Sequence, residues 1–422
     1  MKQKVLFILT LICLSFSASA QIEVDGIYYI LGDFAVVTHK GAYYYSYSNE
    51  YSGSVTIPPS VTYSGRTYKV TKIGDRAFMG CSGLTSVTIP NTVTEIESGA
   101  FNGCSGLTSV TIPNSVTMIG GGAFSGTSWL INQPNGLVYG GKAAYRYKGA
   151  VPSGTSVVIK EGTVSISPNC FETLGGLTSI EIPNSVTSIG KEAFRSCSVT
   201  SVTIGNSVAL IGEYAFYGCD GLTSLTIPNS VTTIGGYAFY GCSGLTGALT
   251  IPNSVISIGG HAFEECSGLT SVTIGNSVKW IGAYAFHNYN HTSLKSVTIG
   301  NLVTSIGEWA FAGNTVIKNI YTYPNPANVA LGDDVFYGVP KYAVFLHVTP
   351  EHFDAYKNAS QWKEFHNIVD DLAGVEGVEV EEATKEVEGY YDLKGIRLNE
   401  PIRGQVTIVR YKDGSTKKIV VE

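Results

Sequence analysis

The sequence predicts a β-rich repeat solenoid, and three observations lead to that prediction. A short phrase of alternating apolar and hydroxyl residues recurs along most of the 422-residue chain. A Phe marks each copy at intervals of 22 to 25 residues, apart from one interval of 47. Gly and Tyr are abundant, at 49 and 26 residues, whereas charged residues make up only 14% of the chain. Self-similarity at a short, fixed period is typical of repeat architectures.

The first 20 residues have the pattern of a secretory signal peptide. Lys2 and Lys4 precede an apolar run that ends in the small residues Ala18, Ser19 and Ala20. The run is too short to cross the roughly 30 Å of bilayer hydrocarbon. We therefore expect residues 1–20 to be removed, leaving a secreted or outer-surface protein without a membrane span.

Residues 21–70 are rich in Tyr and carry short alternating strand patterns. The first repeat of a solenoid needs a cover for its apolar end, so terminal segments differ in sequence from inner repeats. We interpret 21–70 as an N-terminal β cap.

Residues 71–369 carry the repeats. In the copy that begins at Leu84, the apolar Val87 and Ile89 alternate with Thr88, which predicts a strand with one buried face. Pro90 then turns the chain. One copy cannot enclose its apolar residues, so the copies must stack on one another. The marker residues are Phe78, Phe101, Phe124, Phe171, Phe194, Phe216, Phe239, Phe263, Phe286, Phe311 and Phe336.

The long interval between Phe124 and Phe171 equals two periods. Two strand patterns lie within it on either side of Gly140 and Gly141, so we predict a hairpin insertion near 135–160.

The repeated phrase resembles BspA-like leucine-rich repeats. The matching motifs are Val-Thr-Ile-Pro-Asn-Ser-Val-Thr-x-Ile-Gly and Ala-Phe-x-Gly-Cys-Ser-Gly-Leu, over about residues 55–320. This subclass occurs in surface proteins of gut and oral Bacteroidetes and in some protists. The resemblance implies a leucine-rich repeat solenoid with a closing cap at 340–369. It also implies adhesion to host or matrix proteins or to other bacteria.

The C-terminal end changes composition. Residues 370–388 form a predicted acidic linker, and 389–422 a small β module in which Asp413 and Gly414 indicate a hairpin. The module resembles the short C-terminal β modules of exported Bacteroidetes proteins, some of which direct outer-membrane sorting.

Several chemistries find no support in the sequence. The net charge of −6 argues against a nucleic-acid partner, because phosphate binding needs a basic face. No phosphate-binding loop and no convergent set of catalytic carboxylates or of Ser, His and Asp can be recognised, so we expect no enzyme activity and no cofactor. We interpret His287 and His291 as exposed loop histidines and expect no metal site.

Seven cysteines remain once Cys13 is removed with the signal peptide. Six of them lie three residues after a marker Phe, so we expect buried free thiols at one repeat position and no disulfides. The seven are Cys81, Cys104, Cys170, Cys197, Cys219, Cys242 and Cys266.

Two surfaces are candidate binding sites. The first is the Thr/Ser face, formed by the outward Thr and Ser residues of the predicted strands, which we expect to extend for about 50 Å over eleven coils. The same residue types also suit exposed strand positions in any protein.

The second is an aromatic stripe at the position directly before the Ala of each Ala-Phe pair. We define the aromatic stripe as Tyr214, Tyr237, His261, Tyr284 and Trp309. Earlier repeats carry Arg76, Gly99, Gly122 and Glu192 at this position. We expect stacking of the coils to align the stripe into one row. The residues one position after the marker Phe, Tyr217, Tyr240 and His287, would widen this row. Aromatic residues are enriched at interfaces and offer flat faces to sugars, but a stacked row also stabilises a solenoid by itself.

Together these observations predict an exported, non-catalytic binding or adhesion protein, expected to be a monomer. The expected partner is an extracellular protein of a host, of the matrix or of a bacterial surface. A glycan-binding protein that uses the aromatic stripe and a purely structural surface protein are the alternatives.

Overall fold

The computed structural model describes residues 21–40, 50–289 and 293–372, together with four strands between 387 and 420. The predicted signal peptide and most of the predicted acidic linker lie outside the described residues. The chain divides into two compact units, Met1–Gly374 and Val375–Glu422, which are described separately. The first is a β-solenoid of about 13 turns with a period of about 23 residues, which confirms the predicted fold class.

A typical coil contains a long strand, a turn and a short strand. The long strand Leu84–Thr88 buries Leu84 and Val87 and exposes Thr88, as its alternating sequence predicts. It pairs in parallel with the next coil, so that Val87 lies opposite Val110. The two-residue short strands pair in the same way, and all except Ala330–Leu331 contribute one buried Ile to the core.

The long strands form three separate parallel ladders. The first contains Gly53–Thr56, Leu84–Thr88 and Ser109–Thr111; the second contains Thr155–Val158, Leu177–Glu181 and Ser201–Thr203; the third contains Gly247–Ile251, Leu269–Ile274, Ser296–Ile299, Asn319–Thr322, Phe345–Val348 and Asn367–Val369. Residues 222–227 form no strand, and Gly247 interrupts the register of the next one. The predicted Thr/Ser face is therefore divided among three ladders, although the coils on either side of residues 222–227 remain joined, since the N–H of Thr223 donates to Thr200 O at 3.2 Å and that of Thr246 to Thr223 O at 3.4 Å.

The short strands form two further sheets. The seven-stranded sheet contains Gln21–Val24, Ile27–Leu31, Ala35–Thr38, Arg66–Ile73, Glu95–Ile96 and Met118–Ile119, with Ser60–Tyr63 paired to Arg66–Ile73. The ten-stranded sheet contains Gly136–Gly140, Ala143–Lys148, Ser165–Ile166, Ser188–Ile189, Leu210–Ile211, Thr233–Ile234, Ser257–Ile258, Trp280–Ile281, Ser305–Ile306 and Ala330–Leu331. The first three strands of the chain form an antiparallel meander before the parallel stacking begins.

A column of stacked Phe rings runs through the core. Neighbouring rings lie almost parallel, with centroids 4.9 Å apart for Phe78 and Phe101 and 5.2 Å apart for Phe216 and Phe239. These spacings are close to the separation of paired strands, so ring stacking and backbone pairing reinforce each other. Each backbone N–H of the column donates to the coil that follows, as Phe216 does to Ala238 at 2.7 Å.

The long interval between marker Phe residues is filled by a hairpin. Strands Gly136–Gly140 and Ala143–Lys148 pair antiparallel after a short helix, Ser128–Ile131. Tyr145 takes the place of the missing Phe, since its ring packs edge-on against Phe124 at 5.6 Å and its hydroxyl accepts a hydrogen bond from the Phe124 N–H at 2.9 Å. The hairpin also separates two clusters of buried apolar residues, one on each side.

Asn side chains satisfy backbone groups at the turns. The Asn184 side chain accepts from the N–H of Asn206 at 2.8 Å, and Asn253 accepts from Asn276 at 2.7 Å. Each bond joins one coil to the next, so the turns stack as regularly as the strands.

The C-terminal end of the core is covered by helical turns. These are Pro326–Asn328, Pro350–His352 and Trp362–Glu364, which are 3-10 helices, and the α-helix Phe353–Asn358. Trp362 and Phe365 pack against Phe336 and close the Phe column, while the buried Tyr356 hydroxyl donates to Pro324 O at 2.7 Å.

The second unit contains a four-stranded antiparallel sheet. Its order is Arg397–Leu398, Val387–Tyr391, Val406–Tyr411 and Thr416–Val420. Asp413 and Gly414 lie outside the described residues, but the strands on either side of them pair from Val406 with Val420 to Arg410 with Thr416.

The seven cysteines among the described residues are buried in the solenoid as thiols and form no disulfide. Five of these thiols donate to a Phe carbonyl of the preceding coil, as Cys104 does to Phe78 O at 2.8 Å and Cys242 to Phe216 O at 3.2 Å. Burial raises the pKa of Cys104 to about 12 and that of Cys197 to about 11, so neither is a reactive thiolate at neutral pH.

We predict that the seven thiols of the chain 21–422 react with iodoacetamide at pH 8 only after denaturation. The reason is that the thiols are inaccessible and protonated in the fold. Mass spectrometry without reductant, before and after guanidinium treatment, measures this; labelling in the native state, or any disulfide-linked peptide, would contradict it.

Candidate functional site

The five residues of the aromatic stripe share one unusual backbone conformation. All have a positive φ, between 55° and 59°. The same conformation occurs at the equivalent position of other coils, in Arg76, Gly99, Gly122, Asn169, Glu192 and Asp334. The N–H of each stripe residue donates to the next coil, as Tyr237 does to Gly260 O at 2.9 Å, so this position is fixed by the stacking of the coils.

This conformation is strained for any residue except Gly. The left-handed region costs a residue with a Cβ about 1 kcal/mol or more. Gly99 and Gly122 avoid that cost in the early coils, whereas the stripe places bulky rings there in five coils in succession. The strained position directs these side chains away from the core, which buries the adjacent Ala and Phe instead.

The stripe forms one continuous stack. Ring centroids are 4.7 Å apart for Tyr214 and Tyr237, 4.2 Å for Tyr237 and His261, and 4.8 Å for His261 and Tyr284, and these rings are parallel to within 7°. Trp309 continues the stack at 5.9 Å from Tyr284. The structure thus brings all five predicted residues together in one row.

A second column lies beside the stripe, one residue after each marker Phe. Tyr217 and Tyr240 stack at 4.8 Å and contact Tyr214 and Tyr237, respectively, at 5.7 and 5.8 Å. Because ring faces inside the stack are covered by neighbouring rings, the half-buried side chains present mainly their edges to solvent. Face-on stacking of a sugar is therefore not available between Tyr214 and Tyr284.

A buried carboxylate lies under the middle of the stripe. Glu264 is only 4% exposed and accepts hydrogen bonds from Nδ1 of His261 and, at 3.0 Å, from Nδ1 of His287. Burial alone would raise the pKa of this carboxyl, but the two imidazole hydrogen bonds outweigh burial and the pKa is lowered. Glu264 therefore remains ionised and holds both rings in place.

The expectation that His287 is an exposed loop residue is wrong, because it is 3% exposed and bound to Glu264. His291 lies outside the described residues. The sequence contained a usable signal, since Glu264 follows His261 by three residues and precedes His287 by one repeat. Among the described residues, no group of three or more His, Cys, Asp or Glu side chains is arranged to hold a metal ion.

The two ends of the stripe differ. At the N-terminal end, Lys191 and Arg195 lie over the rings of Tyr214 and Tyr217, each at 5.5 Å. At the C-terminal end, two rings that the sequence did not single out extend the stripe. Tyr337 contacts Trp309 at 4.8 Å with a 35° tilt, and Tyr289 stands perpendicular to His287 at 4.5 Å.

Comparison with known proteins identifies the family. A profile described as "BspA type Leucine rich repeat region (6 copies)" matches residues 44–148, 142–248, 164–288 and 245–346, which together cover more than half of the chain. The chain belongs to the BspA-type leucine-rich repeat family. Leucine-rich repeat proteins of this family are generally non-catalytic.

Solved structures of bacterial leucine-rich repeat proteins are similar to this BspA-type chain. A protein from Bacteroides ovatus is 27% identical, with 82% of this chain and 99% of that chain covered and a TM-score of 0.37. A leucine-rich cell surface protein from Faecalibacterium prausnitzii is 26% identical, with 83% and 94% covered and a TM-score of 0.32. No curated protein gives a significant match. Within the described part of the chain, no helix is both long and apolar enough to cross a bilayer.

We predict that replacing Tyr237 by Gly destabilises the solenoid less than replacing it by Ala, by about 1 kcal/mol. Both changes remove the ring contacts, but Gly also relieves the strain of the positive φ. Denaturant unfolding of the two variants measures the difference. Tyr342 is 72% exposed and not at positive φ, so there Gly should be no more stable than Ala; the same order at both sites would contradict the prediction.

We predict that Glu264→Gln lowers the free energy of unfolding at pH 7 by about 2 kcal/mol, because ionised hydrogen bonds to both imidazoles are lost. The pKa of Glu264 is lower in the folded state, so its contribution is present above the unfolded pKa of about 4.3 and is lost as the pH falls through the folded pKa. The difference between the two proteins should therefore shrink in acid. Denaturant titrations from pH 7 to pH 3 measure it, with the exposed Glu308→Gln as control; a difference that grows in acid would contradict the assignment.

Proposed function

We propose that this BspA-type repeat protein is exported and binds an extracellular protein partner through the aromatic stripe, without catalysis. Family membership and the signal-peptide pattern of residues 1–20 support an extracellular location. The expected partners are proteins of a host, of the matrix or of another bacterial surface.

The stripe carries the proposal. Stacked aromatic pairs contribute about 0.5–1.5 kcal/mol each, while each positive φ costs about 1 kcal/mol. Four stacked contacts and five strained residues are thus of similar magnitude, and other coils accept non-aromatic residues at this position, so the fold does not require rings there. A row of half-exposed rings with polar edges fits the composition of protein interfaces, in which Tyr and Trp are enriched.

The two alternatives receive less support. Glycan stacking needs free ring faces, and the faces from Tyr214 to Tyr284 are covered. A purely structural role does not require rings, because other coils carry Arg76, Asn169, Glu192 and Asp334 at the same positive-φ position. The Thr/Ser face is divided into three ladders and offers a less continuous surface.

An array of matrix proteins, bacterial surface proteins and glycans tests the proposal with the chain 21–422. A variant with Tyr214, Tyr237, Tyr284 and Trp309 changed to Gly removes the rings without added strain. A control variant changes the exposed Ser224, Thr226 and Thr270 to Ala. We expect the chain to bind at least one protein, the stripe variant to lose more than tenfold in affinity, and the control to bind normally.

Three outcomes would overturn parts of this proposal. Loss of binding only in the Thr/Ser control variant would place the binding site on the Thr/Ser face instead of the stripe. Binding to glycans but to no protein would show that the partner is a glycan. An array with no bound protein would favour the structural role, and circular dichroism of both variants excludes unfolding as a cause.

A further inference from the structure

The C-terminal end of the stripe is open, unlike its middle. We define the open corner as Tyr289, Trp309 and Tyr337. Tyr289 is 66% exposed and Tyr337 is 57% exposed, whereas the rings of the stripe are half-buried. Although Trp309 still stacks on Tyr284, at 11°, the other ring contacts at the corner are tilted: Trp309 lies at 67° to His287, Tyr289 at 87° to the same ring, and Tyr337 at 35° to Trp309. Aromatic faces and edges therefore meet solvent here from several directions.

Three exposed carboxylates occur on residues next to this corner. Glu308 directly precedes Trp309, and Asp333 and Asp334 precede Tyr337 by four and three residues. The N–H of Trp309 donates to Asp333 O at 3.0 Å, which places the Asp333 backbone beside that of Trp309, and Asp334 occupies the stripe position of the next coil. Within the described ranges, none of these three carboxylates forms an ion pair, and no Lys or Arg lies over the corner rings.

At the opposite end of the stripe, a similar combination of aromatic rings and carboxylates binds cationic side chains of the chain itself. There the Lys191 ammonium lies over the Tyr214 ring and 3.4 Å from the carboxylate of Glu213. Arg195 lies over Tyr217 and binds Glu172 and Glu192 at 3.3 and 3.1 Å. At that end the chain supplies its own cations. The open corner offers the same two components, aromatic rings and carboxylates, without a cation from the described residues.

We propose that the open corner is a docking site for Lys and Arg side chains of a basic segment of the protein partner. This inference rests on the proposed function, since it names the chemistry of the partner at one end of the same stripe. A cation over an aromatic face is attracted by the ring quadrupole, most strongly for Trp, and nearby carboxylates add a charge-assisted hydrogen bond. The net charge of −6 adds a long-range attraction for a basic partner.

Direct titration with a defined probe tests this site. The probe is a fluorescent nine-residue peptide of alternating Arg and Gly, and the neutral comparison peptide carries citrulline in place of Arg. Both are titrated into the folded chain 21–422 at 50 and 300 mM salt. We expect the Arg peptide to bind at least tenfold more tightly than the citrulline peptide, and the difference to shrink at high salt.

Two variants locate the binding. The triple change Glu308→Gln, Asp333→Asn and Asp334→Asn removes the carboxylates, and Tyr337→Ala removes one corner ring. Each variant is expected to bind the Arg peptide at least fivefold more weakly than the unchanged protein. The matched control is Glu213→Gln at the opposite end, where the exposed carboxylate already has Lys191, and it should change binding less than twofold.

Equal binding of the two peptides, or unchanged binding in both corner variants, would overturn the inference. Failure of this docking inference can be distinguished from failure of the proposed function. If the array partner depends on the stripe but is indifferent to the corner variants, only the docking inference fails. If the Arg peptide binds at the corner but the array finds no protein partner, the docking chemistry stands and the proposed function fails.

Discussion

The equal spacing of successive coils is the constraint on which the rest of this structure depends. Each coil must present to the next the same backbone groups and the same ring, at a separation close to that of paired strands. The Phe column meets this requirement in the core, with near-parallel rings 4.9 to 5.4 Å apart over most of its length. Glycine meets it where coils approach most closely, since a Cβ on Gly282 would lie 2.3 Å from the backbone nitrogen of Gly260. Side chains at the same position of successive coils therefore lie in a column along the solenoid.

The aromatic stripe is a direct result of this constraint. A residue at the positive-φ position cannot turn its side chain inward, because the Ala and Phe that follow it fill the core. Five rings at that position must consequently stack on one another outside the core. The cluster of His261, Glu264 and His287 joins the two outer columns across two adjacent coils, which fixes the rings in the middle of the stripe.

Much of this could be read from the sequence, because a repeated phrase reports the same environment many times. The marker Phe residues, the alternation around Val87 and the alignment of Tyr214 with Tyr237 follow from periodicity alone. The positive φ was missed, although Gly99 and Gly122 in the same column signal a conformation that favours Gly. The pairing of Glu264 with His287, the role of Tyr145 in place of a Phe, and the break in the Thr/Ser face were not predictable in the same way. Each occurs once, where a single coil departs from the phrase, so its outcome depends on packing against one particular neighbour.

The hairpin at 136–148 divides the apolar core of the solenoid into two parts. The buried apolar residues form one cluster up to Tyr145 and a second from Ala144 onward, and neighbouring coils supply nearly all the contacts of any given coil. Opening of the N-terminal coils would thus break contacts at Tyr145 but none within the stack from Tyr214 to Trp309. Local unfolding at the N-terminal end of the solenoid, which is synthesised first, therefore leaves the coils that carry the stripe intact.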